Sequence, residues 1–512
     1  MKLSRLYEQC GFDCPRMLEH IEINVEPWEH QVEDLRCLLG NERYGIWNDA
    51  GTGKSLPMFA SAALWAALGN RTVVTMPPKL VGQWIKEFKA KLKGIEDVVS
   101  IFDYSKLSSV KKKRVLNAWL NGEDTPPDIL VVSYNNFRDL HPIKRKQNRR
   151  VKKPDGTFEI IKSARPLRNH PLKTLGYSVL QFDEAHKLKN SDSTVHKVLW
   201  KWIGETSGEF AIHLFTGSPI PNTLMDAYGM IRLVNPDAYL TKRSFERKHV
   251  VYDEFSDFKE IESFENVDLL YENLYKYGRR VTKSDVLDLP PMLPIQQDIE
   301  LSAAHRKLYR QLLTERFLEL PDGSVIDASE ASKLRQVAMQ LLTSPELYSD
   351  EKIVNELEAW LFETLETIGK HKVIIFCHYK STVKKLARIL DELNPAILFG
   401  ETKDGDAQVE KFDTDPTCGV FIVNMDSGGA GLNLQVANYI IFYEPPQTPM
   451  QAHQGIARSW RGGQDKSVTV YFPRITRTVA AKRLENLLDK EEVNNAVVRD
   501  KDALLYELLE TD

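Results

Sequence analysis

A glycine-rich segment near the N-terminus has the residue types needed to hold phosphate. It spans Ile46 to Ser55, with the sequence IWNDAGTGKS, and leads into an apolar run. Its two glycines allow backbone N–H groups to turn around a phosphate, and the start of a helix adds the positive end of its dipole. Lys54 supplies a point charge, and the Ser55 hydroxyl is a magnesium ligand. Because the strict signature has Gly where Asn48 stands, the segment alone is also compatible with an ordinary glycine-rich helix start.

Two adjacent carboxylates follow about 130 residues later. Asp183 and Glu184 open the tetrapeptide DEAH directly after the apolar residues VLQF. Asp183 suits the shell of a magnesium ion, and Glu184 suits the orientation or deprotonation of an attacking water. Such a tetrapeptide alone is more often an exposed helix start. At the end of an apolar strand and after a phosphate-binding segment, it predicts a nucleoside triphosphatase.

A third segment carries two arginines and lies near the C-terminus. It spans Gln454 to Gln464, with the sequence QGIARSWRGGQ. Arg458 and Arg461 are three residues apart, which predicts a shared face if the segment is helical. A guanidinium supplied from another domain stabilises the charge of a transferring phosphoryl group. A solvated basic helix explains this segment alone equally well.

The elements that must position these residues alternate between short apolar runs and amphipathic stretches. Nearly continuous apolar strands indicate burial on both faces, as in doubly wound parallel sheets, whose ligands collect at the carboxyl ends of the strands. The sequence therefore predicts an α/β protein with two such lobes. The predicted strands lie at 71–77, 127–134, 177–186 and 211–219 in the first lobe, and at 371–379, 419–429, 438–446 and 467–473 in the second.

The segment between the lobes, from 223 to about 365, is interpreted as helical. It is interrupted by the proline-rich LDLPPMLP at 287–294, which cannot continue a helix, so Pro290 and Pro291 are placed close to the lobe junction. Five parts are predicted: an ATP-binding lobe at 1–230, a helical protrusion with the junction at 231–288, a helical protrusion of the second lobe at 289–365, the second lobe at 366–478, and a C-terminal helical brace at 479–512.

One segment of the first lobe is strongly basic. Residues 141–173 hold 11 Lys and Arg against Asp155 and Glu159, a net charge of +9, while the whole chain carries −4 and the remainder therefore −13. Pro154-Asp-Gly156 predicts a tight turn between two short strands, and hence a basic β-hairpin insert. The insert is either a solvated loop or a surface for the phosphate backbone of DNA. We expect no sequence-specific recognition, because no zinc finger or recognition helix is evident.

The composition agrees with a soluble, intracellular protein. The five cysteines among 512 residues are scattered, which favours a reducing compartment. No signal peptide is evident at the N-terminus, and the longest apolar stretch, 56–68, is too short for a membrane span. We therefore expect a cytosolic or nucleoid location and no membrane partner.

The ordered motifs resemble the Swi/Snf-like group of superfamily-two helicase-related ATPases, from about residue 25 to residue 490. Similar segments include WEHQ at 28–31, MPPKLVGQWIKEF at 76–88, TGSPIPN at 216–222, RRVTKSDVLDLPP at 279–291 and SGGAGLNL at 427–434, besides those already described. The compact chain is similar to bacteriophage or bacterial members, with no separate targeting domain expected. It departs from the family at Asn48, at Ser55 where Thr is commoner, and at EPPQTP (444–449), which places a stacking contact at Gln447 in doubt.

The resemblance implies that ATP and Mg²⁺ bind between two RecA-like lobes. Gln31 would contact adenine, Ser55 and Asp183 magnesium, and Glu184 the water. The residues implied around the phosphates are Asp49, Ala50, Gly51, Thr52, Gly53 and Lys54, with Gln454, Arg458 and Arg461 supplied by the second lobe.

The resemblance also implies double-stranded or forked DNA as the partner of a monomeric motor. The predicted DNA-binding residues, some from the resemblance and some from the basic insert, are Lys79, Ser133, Tyr134, Lys144, Arg145, Lys146, Arg149, Arg150, Lys152, Lys153, Ser427, Gly428 and Gly429.

Three functions remain open at this point. The first is an ATP-dependent translocase on double-stranded DNA, acting in replication, recombination or repair. The second is a strand-separating or annealing fork helicase that uses 141–173 as a wedge. The third is a non-catalytic clamp or scaffold. The presence of all the expected catalytic residues argues against it, namely Lys54, Asp183, Glu184 and Arg461.

Overall fold

The computed structural model divides the chain into two units. It describes residues 1–140, 148–152, 158–162, 170–205, 210–253, 261–320, 322–349, 351–426 and 432–498. Unit 1 comprises Met1–Asp49, Gly53–Ile220 and Leu224–Val281, and unit 2 comprises Ala50–Thr52, Pro221–Thr223 and Thr282–Asp512.

Unit 1 combines helices with one large sheet and several short strand pairs. Its helices are α1 Leu3–Gln9, α2 Glu29–Gly40, α3 Ser55–Ala67, α4 Val81–Lys91, α5 Ser109–Asn121, α6 Tyr134–Leu140, α7 Pro171–Thr174, α8 Thr194–Glu205, α9 Asp226–Val234, α10 Lys242–His249 and α11 Val267–Tyr275. Its strands are β1 Glu22–Ile23, β2 Arg43–Ile46, β3 Arg71–Met76, β4 Leu92–Lys93, β5 Ile101–Asp103, β6 Ile129–Ser133, β7 Asn148–Lys152, β8 Phe158–Lys162, β9 Tyr177–Asp183, β10 Ala211–Phe215, β11 Val250–Tyr252, β12 Ile261–Phe264 and β13 Gly278–Arg279.

The large sheet of unit 1 has seven strands in the order β13-β2-β10-β9-β3-β6-β5, all parallel. Its inner strands β6 and β10 are buried along their whole length, as their continuous apolar sequences predict. Helix α3 is apolar nearly all round and is buried against the sheet, where Phe59 lies edge-on to Trp84 and Phe88 of α4. The strands β2 and β9, which carry the phosphate-binding segment and the carboxylates, both border β10, so their carboxyl ends lie at the same edge of the sheet.

Unit 2 is built in the same way. Its helices are α12 Lys283–Val286, α13 Ala303–Glu315, α14 Ala331–Thr343, α15 Glu356–Ile368, α16 Lys380–Ile389, α17 Gly405–Thr414, α18 Pro449–Ile456 and α19 Val479–Val498. Its strands are β14 Met292–Ile299, β15 Phe317–Glu319, β16 Val325–Asp327, β17 Val373–Cys377, β18 Ala396–Leu398, β19 Val420–Asn424, β20 Tyr439–Phe442 and β21 Val468–Ile475.

The sheet of unit 2 has six parallel strands in the order β14-β21-β20-β17-β19-β18. On one face the rings of Phe376, Phe442 and Phe472 stack from strand to strand, with neighbouring centroids 5.1 Å apart. Helices α13 to α16 cover the other face. The predicted α/β fold with two parallel-sheet lobes is confirmed.

The helical interpretation of 223–365 is wrong in several places. Strands β11 and β12 form an antiparallel pair, as do β15 and β16, and β14 belongs to the sheet of unit 2. Because the prolines of 287–294 indicate a break, β14 was not predicted, although Pro294 lies within it. This position is tolerated because β14 is an edge strand, where a missing N–H removes no bond to a further strand.

The predicted basic hairpin is described in part. Strands β7 and β8 pair antiparallel, with Asn148 opposite Lys162 and Lys152 opposite Phe158, which confirms its two strands. The predicted turn at 154–156 lies outside the described residues.

No helix in the described part of the chain is both long enough and apolar enough to cross a membrane.

Candidate nucleotide-binding site

The phosphate-binding segment connects the end of β2 to the start of α3. Gly51 and Gly53 have φ angles of +94° and +80°, a left-handed conformation that glycine adopts without strain. A Cβ atom on Gly53 would come within 2.1 Å of Gln31 Nε2. Both glycines are therefore required by the backbone, and α3 begins at Ser55 as the phosphate-binding pattern predicts.

Gln31 contacts this segment directly from helix α2. Its Nε2 donates to the carbonyl oxygen of Gly53 at 2.9 Å, and its Oε1 accepts from the backbone N–H of Trp28 at the same distance. The predicted contact between Gln31 and adenine requires the Gln31 amide to lie next to the phosphate-binding segment. The structure puts Gln31 beside the phosphate-binding segment, with the partly exposed ring of Trp28 next to it.

Lys54 is held by the segment that precedes it. Its Nζ donates to the carbonyl oxygens of Asn48 and Asp49 at 2.7 and 2.8 Å. Burial lowers the pKa of Lys54, and the nearby carboxylates of Glu184 and Asp183 oppose that shift. The lysine thus lies in an anionic neighbourhood within unit 1.

The two carboxylates lie where β9 ends. The Glu184 backbone N–H donates to Asp183 Oδ1 at 2.9 Å, and Glu184 has a left-handed φ of +51°, which is unusual for a side chain of this size. Burial, together with the charge of Glu184, raises the pKa of Asp183 to about 7, while Lys54 acts in the opposite direction. A second cation in this place would stabilise the ionised pair.

A magnesium ion fits this donor set when phosphate oxygens complete its shell. Asp183 supplies a partly buried carboxylate and Ser55 a hydroxyl at the start of α3, both hard oxygen ligands. Within the described ranges, no group of three or more His, Cys, Asp or Glu residues could hold a metal alone. That pattern agrees with the usual behaviour of Mg²⁺, which binds to one or two protein groups together with substrate phosphates and water.

A histidine and a threonine extend the site. His186 Nδ1 lies 3.3 Å from Glu184 Oε2 and 3.2 Å from Thr216 Oγ1. Thr216 directly follows β10, the strand next to β9, and is fully buried. The sequence placed both residues in motifs but gave no reason to join them. Only the pairing of β9 with β10 brings them together.

Asn48 has a structural role that sequence reasoning missed. Its Nδ2 donates to Asp34 Oδ2 at 2.6 Å, and its Oδ1 accepts from the backbone N–H of Val281 at 2.9 Å. Asp34 is fully buried, and its other oxygen lies 3.2 Å from Arg279. The residue that departs from the usual phosphate-binding signature therefore links α2 to the strand segment around β13. The sequence signal for this role is a polar residue, Asn48, at a position where the phosphate-binding signature has glycine.

Asp49, the residue after Asn48, is also linked to the segment around β13. Arg280 Nη2 lies 2.9 Å from Asp49 Oδ1, and the Asp49 backbone N–H donates to the Val281 carbonyl at 3.0 Å. The phosphate-binding segment is thus held on one side by residues just before the boundary between the two units.

Ser133 and Tyr134 are both buried, although they were predicted to contact DNA. The Tyr134 hydroxyl donates to the carbonyl oxygens of Asp183 and Glu184, at 2.7 and 3.2 Å, and Ser133 Oγ bonds to Asn136 Oδ1 at 2.9 Å. Tyr134 therefore holds the backbone of the two acidic residues in position. Lys79 is exposed, in a short 3-10 helix at Pro78–Leu80.

Several predicted DNA-binding residues cannot be placed. Arg149, Arg150 and Lys152 belong to β7, of which the backbone is described. The remaining ones lie outside the described residues: Lys144, Arg145, Lys146, Lys153, Ser427, Gly428 and Gly429.

The arginine segment lies in unit 2 and is only partly helical. Helix α18 ends at Ile456, so Gln454 is helical, whereas Arg458 and Arg461 lie in the turns that follow. The prediction that both arginines share one helix face is wrong, because the Thr448-capped helix ends after eight residues. Arg458 is nonetheless buried, and its carbonyl accepts from the Leu434 backbone N–H at 2.9 Å.

Family models match most of the chain. Residues 22–356 match the model described as SNF2-related domain, and residues 355–463 match the helicase conserved C-terminal domain. The first match alone covers more than half of the 512 residues.

Individual relatives are more distant. A DNA repair and recombination protein RAD54-like from Drosophila ananassae is 23% identical, over 96% of this chain and 66% of that protein. The uncharacterized ATP-dependent helicase MG018 of Mycoplasma genitalium is 26% identical, over 92% of this chain and 42% of that protein. This chain therefore spans less than two thirds of the length of these relatives.

One solved structure, titled Sulfolobus solfataricus SWI2/SNF2 ATPase core in complex with dsDNA, is 18% identical to this chain. The comparison covers 96% of this chain and 97% of that one, with a TM-score of 0.37.

Proposed function

The chain belongs to the SNF2-related family of helicase-like ATPases, and we propose that it is an ATP-dependent translocase on double-stranded DNA. The observation that carries the proposal is the meeting of Lys54, Asp183 and Glu184 at one edge of the unit 1 sheet, with Gln31 against the same segment. This arrangement supplies the charges that a nucleoside triphosphate requires.

Each residue has a role that follows from its contacts. The backbone N–H groups of residues 49–54 and Lys54 hold the phosphates, and Gln31 holds the base. When bound at Ser55 and Asp183, Mg²⁺ neutralises charge on the phosphate oxygens. Glu184 orients the attacking water and accepts its proton.

Unit 2 supplies the remaining charge in this proposal. Arg458 and Arg461 act on the transferring phosphoryl group, and Gln454 acts beside them. Loss of that group would release the arginines, so that hydrolysis alternates between two arrangements of the units and moves bound DNA.

DNA binding is proposed to depend on phosphate contacts. The basic insert at 141–173 carries +9 in a chain whose remainder carries −13, which favours a one-sided electrostatic attachment without base recognition. We further propose a monomer in the cytosol or nucleoid, acting in replication, recombination or repair, and of the compact bacterial or bacteriophage type.

Displacement of a third strand from a triplex tests translocation directly. We expect wild-type protein with ATP to displace the strand from a duplex track, and Glu184→Gln to bind ATP without displacement. The matched control is Asp192→Asn, which changes an exposed acid shortly after Glu184 in the chain. This variant should displace the third strand normally. Wild-type ATP hydrolysis without displacement would contradict translocation, and no hydrolysis at all would favour the non-catalytic clamp.

A strand-separating helicase is the second candidate, and the antiparallel pair β7–β8 is the observation that favours it. An antiparallel pair of strands can act as a wedge at a fork. Deletion of residues 145–168 decides between the two. Fork unwinding that vanishes with this deletion, while triplex displacement persists, would make the wedge the correct mechanism.

A further inference from the structure

The arginine segment of unit 2 depends on other parts of the fold for its direction. Helix α18 ends at Ile456, and Arg458 and Arg461 follow it outside regular structure. In a continued helix the Gln464 N–H would donate to the Trp460 carbonyl, but it donates instead to the Arg461 carbonyl, at 3.0 Å. The Trp460 carbonyl therefore takes its hydrogen bond from another part of unit 2.

A lysine of the junction segment donates to this carbonyl. Lys283 lies in α12, and its Nζ donates to the Trp460 carbonyl oxygen at 3.0 Å. The same ammonium lies 4.7 Å from the centroid of a Trp460 ring, which is a cation–π geometry. That carbonyl belongs to the peptide bond between Trp460 and Arg461. Lys283 therefore orients the peptide group from which Arg461 starts.

The indole of Trp460 is held by the same junction segment. Its Nε1 donates to the Pro290 carbonyl oxygen at 2.8 Å, and the side chain is buried. Lys283 is buried as well, which is rare for lysine and requires that its ammonium keep partners. Residues 283–290 thus hold Trp460 at two points, although they precede it by about 170 residues or more in the chain.

We propose that Lys283 and Trp460 are positioning residues for Arg461. Lys283 orients the peptide group before Arg461, and the indole of Trp460 ties that group to Pro290, so the direction of the guanidinium is set in advance. The inference rests on the proposed function, in which Arg461 acts on the transferring phosphoryl group. A charge that is already in place needs no rearrangement during the reaction, and its misplacement slows the chemical step.

Lys283→Met tests the contact, because methionine keeps an unbranched side chain and lacks the ammonium. We expect kcat for ATP hydrolysis by the full chain to fall about 10-fold and KM for ATP to change less than about 2-fold, since the lost support acts on the transition state. Steady-state kinetics with and without duplex DNA measure both constants.

Lys372→Met is the matched control. Lys372 also belongs to unit 2 and also donates to a backbone carbonyl, that of Asp415, at 2.9 Å. Its ammonium likewise lies near an aromatic ring, 5.2 Å from the centroid of Phe412. Because these contacts do not involve the arginine segment, the control should keep the kcat of the wild type.

Combination with Arg461→Ala separates positioning from a general effect on stability. If Lys283 acts through Arg461, Lys283→Met should lower kcat no further in the Arg461→Ala background. Losses that multiply in the double variant would overturn the proposal, as would a Lys283→Met variant with the kcat of the wild type.

Thermal melting of each variant shows whether unit 2 is folded. If Lys283→Met melts early, Trp460→Phe repeats the test, because it keeps a ring beside Lys283 and removes the donor to Pro290. It should lower kcat by a few-fold, and again not in the Arg461→Ala background.

Failure of the proposed function gives different results. ATP hydrolysis by the wild type without displacement of the third strand would contradict translocation, whereas the kinetic test of Lys283 against Arg461 would still support or overturn the positioning role. A wild-type kcat in Arg461→Ala, or no hydrolysis by the wild type, would contradict both the proposed mechanism and this inference. Multiplying losses, with Arg461→Ala itself impaired, would overturn the inference alone.

Discussion

At the scale of single residues, Tyr134 connects a predicted DNA-contacting segment to the carboxylates proposed to be catalytic. Its buried hydroxyl donates to the carbonyl oxygens of both Asp183 and Glu184. We expect Tyr134→Phe to lower kcat about 10-fold, since displacement of Glu184 by a fraction of an ångström weakens its action on water. The KM for ATP should change little. Steady-state ATPase kinetics measure both.

Tyr177→Phe is the matched control for this change. The Tyr177 hydroxyl is also buried and donates to the Pro127 carbonyl at 3.0 Å, away from the carboxylates. Both variants should lose about 1 kcal/mol of stability, but only Tyr134→Phe should lose activity. Equal kcat values for the two variants would show that Tyr134 merely stabilises the fold.

Asn48 is the residue at which the phosphate-binding segment departs from its signature, and its contacts explain the departure. Asn48→Gly restores the signature but leaves Asp34 Oδ2 and the Val281 N–H buried without this partner. We expect the change to destabilise unit 1 by about 2–3 kcal/mol, measured by chemical denaturation. Asn121→Gly, exposed at the end of α5, should cost less than about 1 kcal/mol. Equal losses for the two variants would contradict the role of Asn48.

The chemistry of the site was largely predictable at this scale, whereas its supports were not. Residue types and local order identified Lys54, Asp183 and Glu184. The partners of Asn48 are Asp34 and Val281, 14 and 233 residues away, and no short-range pattern encodes such pairs. The motif around Tyr134 predicts a DNA contact, whereas the direction of its hydroxyl is set by the tertiary fold.

At the scale of elements, a hydrogen bond between His305 and Glu356 joins α13 to α15 in unit 2. Glu356 Oε2 lies 2.7 Å from His305 Nδ1, and its Oε1 accepts from the Ser302 backbone N–H at 2.8 Å. Burial raises the pKa of Glu356, but the hydrogen bonds from His305 and Ser302 outweigh burial and lower it to about 2. Because the ordinary value is 4.5, the ionised carboxylate stabilises unit 2 above that pH, and the stabilisation is lost as the pH falls toward 2.

Glu356→Gln should therefore destabilise unit 2 by roughly 1–2 kcal/mol at pH 7 and by progressively less in acid. Melting temperatures of the wild type and the variant between pH 7 and pH 3 measure the difference. Glu366→Gln, exposed on the same helix, provides the comparison and should melt like the wild type throughout. A difference between wild type and Glu356→Gln that stays constant with pH would contradict this assignment.

The central strands of both sheets were predicted because continuous β-branched runs have few other stable environments. They are β3, β6, β9 and β10 in unit 1, and β17, β19, β20 and β21 in unit 2. The prediction missed the short sheet strands β2, β5, β13 and β18, the longer β14, and the short pairs β11–β12 and β15–β16. In β14 exposed and buried residues alternate only loosely, and its prolines indicate a break. Its place is decided by pairing with β21, about 175 residues later, and so by the tertiary fold rather than by local preference.

At the scale of the whole molecule, the net charge of −4 conceals an uneven distribution. The insert at 141–173 is strongly basic, and the remainder is acidic. The insert therefore suits an anionic polymer, and its contribution is separable by the deletion of residues 145–168.

We propose that nucleotide hydrolysis in this chain is coupled to DNA. The decisive measurement is the rate of ATP hydrolysis in parallel with duplex, single-stranded and forked DNA and with RNA. We predict low hydrolysis by the protein alone, strong stimulation by duplex DNA, little by RNA, and no stimulated rate in Glu184→Gln. A rate that is the same with and without every nucleic acid, or that survives unchanged in Glu184→Gln, would contradict the account.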